Sequence, residues 1–309
     1  MKFNATRLYF ILILLLGFAA CTTNPYTVTN RSYKKQVKAY ARTLRITPVV
    51  TPGADSLPLG TPWVGTTNFN LRKPNFVIIH HTAQDSTGQT LKTFTQPKTQ
   101  VSAHYVIGRD GKIYHMLNDY FRAWHGGVAR WGNNTDINSS SIGIELDNNG
   151  LEPFAESQIN SLLLVLAQLK KAYAIPTPNF IGHSDIAPTR KNDPNPTFPW
   201  KRLAEKGFGL WYDESILADT LTTDSLITMN QLGSLALPDT IITPDSTTLK
   251  NIVPASFNPK EALRIIGYDI TNLDAAIRAF KHHFIQKDIN AILTETDKKV
   301  LYNLYQKYL

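Results

Sequence analysis

The run Phe76-Val77-Ile78-Ile79 is short, apolar and mostly β-branched, so it reads as a strand buried in a sheet, and it ends in the pair His80-His81. Imidazoles at the tip of such a strand stand where the sheet reaches the surface. Far downstream lies Gly182-His183-Ser184-Asp185-Ile186-Ala187-Pro188-Thr189-Arg190-Lys191-Asn192-Asp193-Pro194, in which His183 and Asp193 are separated by a stretch containing one proline and followed by another. That spacing is too wide for one helical face, so the second pair belongs to a strand end and a stiff loop. Two imidazoles and one carboxylate held on two strand ends and a rigid loop make the three-ligand set of a catalytic zinc, which leaves its fourth position open to water. Taken alone, each histidine reads more readily as a satisfied core or surface residue, and the set is what carries the argument. Periodicity does not choose between His80 and His81.

Cysteine usage narrows the donor set. Cys21 is the only cysteine, so no internal disulfide forms and no thiolate is left for zinc. Residues 1–20 read as a secretory leader, with Lys2 and Arg7 before an apolar run from Leu8 to Leu16 and the small residues Ala19 and Ala20 before Cys21. The apolar run is shorter than the roughly 20 residues a membrane span needs. Phe18-Ala19-Ala20-Cys21 resembles a bacterial lipobox, with Phe18 where leucine is usual, and acylation of Cys21 would remove a lone thiol from an oxidising space. Of the 32 Lys and Arg, Lys2 and Arg7 leave with the leader, so the mature chain carries 30 basic against 24 acidic residues, a net +6. The excess sits in Arg31, Lys34, Lys35, Lys38, Arg42 and Arg45, a tether that lies in solvent or against anionic headgroups or wall polymer. A secreted, lipid-anchored chain does not meet nucleic acid, so that class of partner is set aside.

The remaining chain divides by composition. A basic tether, 21–58, ends in a proline- and glycine-rich stretch. Residues 59–212, about 150 in number, are enough for a full core that buries roughly 68–70% of the unfolded surface. Strands are expected near 76–80, 103–108, 112–117, 141–146 and 180–182, with Arg109-Asp110-Gly111 as a hairpin turn. Helical spacing of Ile159, Leu162, Leu163, Leu166, Leu169 and Tyr173 marks a core-covering helix from Glu156 to Ala174. The expected fold is α/β, a mixed central sheet flanked by helices, with a small all-α module at the C-terminus. Residues 213–255 form an acidic, Thr- and Ser-rich linker whose leucines suggest that part of it packs on a domain. Residues 256–309 read as three helical segments, too small a module to be stable without docking. His282-His283 invites a second metal site, but adjacent residues diverge on a helix and no carboxylate is spaced to help.

Five stretches in order, I-I-H-H-T-A at 78–83, V-S-A-H-Y at 101–105, R-A-W-H-G-G at 122–127, S-I-G-I-E at 141–145 and G-H-S-D-I-A-P-T-R-K-N-D-P-N-P at 182–196, resemble the zinc-dependent N-acetylmuramoyl-L-alanine amidases of type 2. The likeness is strongest to the lipoprotein branch, related to anhydro-muropeptide amidases, phage lysozyme amidases and animal peptidoglycan recognition proteins. It implies cleavage of the amide between the lactyl group of N-acetylmuramic acid and L-alanine, with peptidoglycan or muropeptides as substrate. By the motif match, one zinc per chain is held by His80, His183 and Asp193. Glu145 becomes the general base, Lys191 the group that faces the developing oxyanion, and His81, Trp124 and His125 part of the substrate pocket. His104 and Tyr105 serve either the core or the site. Arg109, Arg122 or Arg130 could bind a stem-peptide carboxylate, and Arg190 beside Lys191 could act electrostatically. The C-terminal segments resemble the peptidoglycan-binding-like module of the lipoprotein amidases.

A non-catalytic wall-binding module, or a tether between outer membrane and wall, is the rival reading. A complete set of His80, His183, Asp193, Glu145 and Lys191 favours hydrolysis. The expected state is a monomer anchored through Cys21 to the outer membrane, facing the periplasm.

Overall fold

Strand β1, Phe76–His81, is buried along nearly its whole length, and the alternation of a strand turns Ile78 and His80 to one side of the sheet and Val77, Ile79 and His81 to the other. It lies between two parallel neighbours, β4 (Ser141–Leu146) and β5 (Phe180–Gly182). Strand β2 (Tyr105–Ile107) runs parallel to β4, and β3 (Ile113–His115) closes that edge antiparallel to β2, giving the order β3-β2-β4-β1-β5. The β2–β3 turn is the expected one, with Gly111 at φ +82 and its N–H donating to the Gly108 carbonyl at 2.9 Å. The sheet is mixed and carries helices on its two faces.

The computed structural model describes residues 24–45, 66, 68, 71, 73–218 and 253–309. The leader, Cys21, the proline-rich stretch 47–60 and most of the 213–255 linker lie outside these residues. The chain divides into two compact units, Met1–Phe69 and Asn70–Leu309. In the first, the segment expected as a tether contains a helix, α1 (Thr27–Thr43), with no buried residue. Its cause is local: no Gly or Pro occurs from Tyr26 to Thr47, and Tyr33, Val37, Tyr40 and Leu44 recur at helical spacing. No helix among the described residues is long and apolar enough to cross a membrane.

In the second unit, helix α2 (Thr87–Phe94) follows β1, a single helical turn α3 (Ile137–Ser140) leads directly into β4, and α4 (Glu156–Tyr173) covers one face. Ile159, Leu162, Val165, Leu166 and Leu169 of α4 share a core with Val77, Ile79, Ile142, Ile144 and Leu146. A short turn α5 (His183–Ile186) continues β5, and α6 (Trp200–Glu205) adds Trp200 and Leu203 to the same core.

The opposite face is covered by the C-terminal helices. After α7 (Ser215–Ala218) come α8 (Pro259–Ile266), α9 (Leu273–Phe280), a π turn Lys281–Ile285 and α10 (Glu295–Tyr308). Asn258, Asn272 and Thr294 cap α8, α9 and α10 with side-chain oxygens, which is why the helices begin where they do. Leu263, Ala276, Phe280 and Leu301 pack with Ile78 and Ile181 of the sheet in one cluster. Gly267, at φ +133, abuts the Trp131 indole so closely that a Cβ would fall 2.4 Å from the ring. The linker starts by packing too: Ile216 is buried in this cluster, and Lys307 of α10 meets Asp213 at 2.7 Å. The module therefore seals the part of the sheet face around Ile78 and Ile181, and the end carrying His80 stays open.

One core serving sheet and module implies one unfolding unit. Phe280→Ala is expected to destabilise the protein by about 3–5 kcal/mol. Urea melts followed by tryptophan fluorescence and by circular dichroism should coincide, and a separate early loss of helix would contradict the shared core.

Candidate metal centre

Register places the central pair. His80 is opposite Glu145 across β1 and β4, so both side chains leave the sheet on the same face, the one not covered by α4. His81 leaves on the other side, where its Nδ1 accepts the Asn195 N–H at 3.1 Å. This settles geometrically what the periodicity leaves open. His183 begins α5 directly after β5, and the loop returns Asp193 beside it, with Ser184 N–H donating to the Asp193 carbonyl at 2.8 Å.

His80 Nδ1, His183 Nδ1 and Asp193 Oδ2 converge: the separations are 2.9 Å between the rings, and 3.1 and 3.0 Å from each ring to the carboxylate. All three residues are buried, and among the described residues they form the cluster able to hold a metal. Ligands about 2.0–2.1 Å from one tetrahedral ion lie roughly 3.3 Å apart, so the triangle fits an ion of zinc's size and leaves one side open. Burial, followed by the charge of His183, pushes the His80 imidazole down to about 4, so the ring is neutral as a ligand requires.

The cleft above has a volume of about 320 Å³ and is lined by His80, Glu145, His183 and Asp193 together with Trp124, Arg190 and Lys191. Glu145 Oε2 is buried with no hydrogen-bond partner among the described residues. Burial above all, and then the charge of Asp193, raise its carboxyl to about 8, against the opposing pull of Lys191. A carboxylate left without donors at the floor of a cleft is suited to accept a proton. Lys191 is exposed on the wall, and Trp124 is 53% exposed there. His81 and His125 also line the cleft. His125 is in addition a partner of His80, its Nδ1 lying 3.0 Å from His80 Nε2.

The three arginines weighed for substrate are committed elsewhere. Arg109 pairs with Glu152 at 2.7 Å, Arg122 with Asp136 at 3.0 Å, and Arg130 donates to the Gly132 carbonyl at 2.9 Å. Arg190 is the arginine in the cleft, and it holds the Gly126 and Val128 carbonyls. His104 serves the core: its Nδ1 accepts the Gly143 N–H and its Nε2–H donates to the Phe121 carbonyl, both at 3.0 Å. Tyr105 donates to Asp119 at 3.2 Å.

His282 and His283 fasten the C-terminal module to the ligand loop. His282 Nε2–H donates to the Pro194 carbonyl at 2.7 Å. His283 Nδ1 meets Asp185 Oδ2 at 2.8 Å while its ring stacks on Trp200. Asp185, fully buried, also accepts the Tyr268 hydroxyl at 2.8 Å and the Gly182 N–H at 2.7 Å. Gln286 donates to the Pro196 and Phe198 carbonyls. The loop that carries two of the three ligand residues is thus clamped from beneath by the π turn.

The sequence model of the N-acetylmuramoyl-L-alanine amidase family matches residues 70–196. AmiD of Escherichia coli, an N-acetylmuramoyl-L-alanine amidase, is 31% identical over 252 residues, covering 75% of this chain and 82% of that protein. The chain belongs to this amidase family. AmpD of Escherichia coli, a 1,6-anhydro-N-acetylmuramyl-L-alanine amidase, is 41% identical over 104 residues, which are 34% of this chain and 57% of that protein. The solved complex of AmiD from Escherichia coli with the substrate anhydro-N-acetylmuramic acid-L-Ala-D-gamma-Glu-L-Lys superposes with a TM-score of 0.59 at 27% identity, over 81% of this chain and 95% of that one. The AmiD likeness extends well beyond the span of the AmpD match, and in this amidase the C-terminal helices share the sheet's core.

Removing a ligand leaves two, which rarely hold such an ion well. His183→Ala and Asp193→Ala are each expected to lose the bound metal of the parent, measured by elemental analysis of dialysed protein alongside circular dichroism. Full metal content in either variant would contradict the site.

Proposed function

We propose that this amidase hydrolyses the amide between the lactyl group of N-acetylmuramic acid and L-alanine in peptidoglycan or muropeptides, with one zinc held by His80, His183 and Asp193. The observation that carries the reading is the convergence of three buried ligand atoms beside an unpartnered Glu145 carboxylate in one cleft. The names of AmiD and AmpD, and the muropeptide bound in the AmiD complex, support the substrate class. A binding-only module has no use for a proton acceptor at that position.

Zinc, when bound, supplies a Lewis acid that makes water reactive near neutral pH and polarises the scissile carbonyl. Glu145 Oε2 takes the proton of the attacking water and returns it to the departing L-alanine nitrogen. The Lys191 ammonium, on the cleft wall, faces the negative charge that develops on the carbonyl oxygen. Trp124 offers an exposed aromatic wall to the sugar or peptide, and Arg190 presents a guanidinium beside the ligands.

Residues 1–20 act as a leader, Cys21 carries the lipid anchor, and the protein faces the periplasm from the outer membrane as a monomer. The basic residues on α1 support this placement, since each Lys or Arg near an anionic surface adds about 1 kcal/mol of attraction. The C-terminal helices contribute to holding the wall polymer.

Incubation of mature protein with muropeptides, with and without a chelator, tests the reaction through release of peptides with a free L-alanine amine. Glu145→Gln and Lys191→Met should each lower kcat by at least roughly 100-fold with metal content near that of the parent. Loss of metal in either would make that residue a ligand or a structural group. For location, Cys21→Ser should leave the protein soluble or unprocessed in fractionated cells, and an unchanged membrane fraction would reject the anchor.

A further inference from the structure

We infer that the segment Asp136–Gly143 decides which nitrogen of each metal-binding histidine carries the proton, with Asn138 and Ser141 acting through the adjacent residues His125 and Gly126. The inference rests on His80, His183 and Asp193 being a metal centre.

The argument begins at a group that can only accept. The Ile137 carbonyl, at the end of a one-turn helix, lies 2.6 Å from Ser141 Oγ and 3.2 Å from Ser140 Oγ. The single hydroxyl proton of Ser141 must go there, because two oxygen lone pairs would otherwise face each other at that distance. Ser141 Oγ is then an acceptor toward His125 Nε2, 3.1 Å away, so the proton of His125 is on Nε2. His80, holding the ion through Nδ1, keeps its own proton on Nε2 and directs it at His125, so the Nδ1 of His125 is bare. Bare Nδ1 accepts from His80 Nε2–H at 3.0 Å. The His80 lone pair is then on Nδ1, the atom that faces the metal site.

The next residue repeats the logic on the other ligand. The Gly126 carbonyl, again only an acceptor, lies 3.2 Å from His183 Nε2 and takes the proton that a ring bound through Nδ1 keeps there, while Arg190, 3.4 Å from the same nitrogen, is spent on the Gly126 and Val128 carbonyls. Arg190 donates to the same carbonyl and fixes it in place. Both backbone N–H groups of the pair, His125 and Gly126, donate to one atom, Asn138 Oδ1, at 3.1 and 2.8 Å. Space is set by the same segment: a Cβ on Gly143 would fall 2.4 Å from His125 Cγ, so only glycine admits the ring. With the ion bound, the lone pairs of His80, His183 and Asp193 all face it with no proton between them.

The test combines imidazole spectra with metal affinity. Long-range proton–nitrogen-15 correlations should show His125, His80 and His183 all protonated on Nε2 in zinc-loaded protein. Ser141→Ala should give His125 a mixture of tautomers and weaken zinc binding, by chelator competition, about 10–100-fold. Ser141→Thr, which keeps the hydroxyl, should recover most of that loss. A proton on Nδ1 of His125 in the parent overturns the inference, and so does a Ser141→Ala protein with parental tautomers and parental zinc affinity. Should Ser141→Ala not fold, the parent spectra decide. A parent that binds no zinc would instead overturn the metal centre, while its spectra would still report the tautomers.

Discussion

The parallel pairing of β1 with β4, in the register that sets His80 against Glu145, is the constraint on which the site depends. A strand has two faces, and a slip of one residue would exchange them, sending His80 toward α4 and His81 to the face that carries Glu145. That slip is opposed by Val77, Ile79, Ile142, Ile144 and Leu146, which would lose the core they share with α4. Apolar burial on one face thus fixes the polar chemistry on the other. The ligand and the proton acceptor are neighbours because the sheet admits only one register.

Burial also sets the character of the side chains at the centre. Glu145 is raised to about 8 because little but the Lys191 charge offsets the loss of water, whereas His80 is pushed down to about 4. The same desolvation makes the carboxylate a better proton acceptor and the imidazole a better metal ligand. Both outcomes follow from the loops that close over this end of the sheet, where His125, His183 and Asp193 pack against His80.

Much of the scaffold was legible because its signals are local. Alternation and apolar runs marked the strands, the 109–111 turn marked the hairpin, and helical spacing marked Glu156–Tyr173. His80 and His81 resisted the same reading because β1 is buried on both faces, so alternation has no polar side to report. The roles of Asn138, Ser141 and Gly143 were hidden for another reason. Their partners are backbone groups and rings on the segment around His125, and nothing in the spacing of S-I-G-I-E announces that a small residue there makes room for a ring. A loop arginine such as Arg190 has no periodic signature that marks it for the cleft, and Arg109 and Arg122 carry no signal in the sequence of their pairing with Glu152 and Asp136. The α1 helix has a signal of its own in the absence of Gly and Pro from Tyr26 to Thr47, beside the basic charge that marks the segment as a tether.

Asp185 joins the two halves of the second unit more tightly than packing alone would. One carboxylate accepts from Gly182 before the first loop ligand, from Tyr268 after α8 and from His283 in the π turn. The ligand loop and the helices beneath it therefore form one inheritable block. A substitute module lacking the tyrosine and the histidine would leave this buried carboxylate with only the Gly182 N–H of its three donors, so the C-terminal helices and the Gly182–Phe198 loop can be replaced only together.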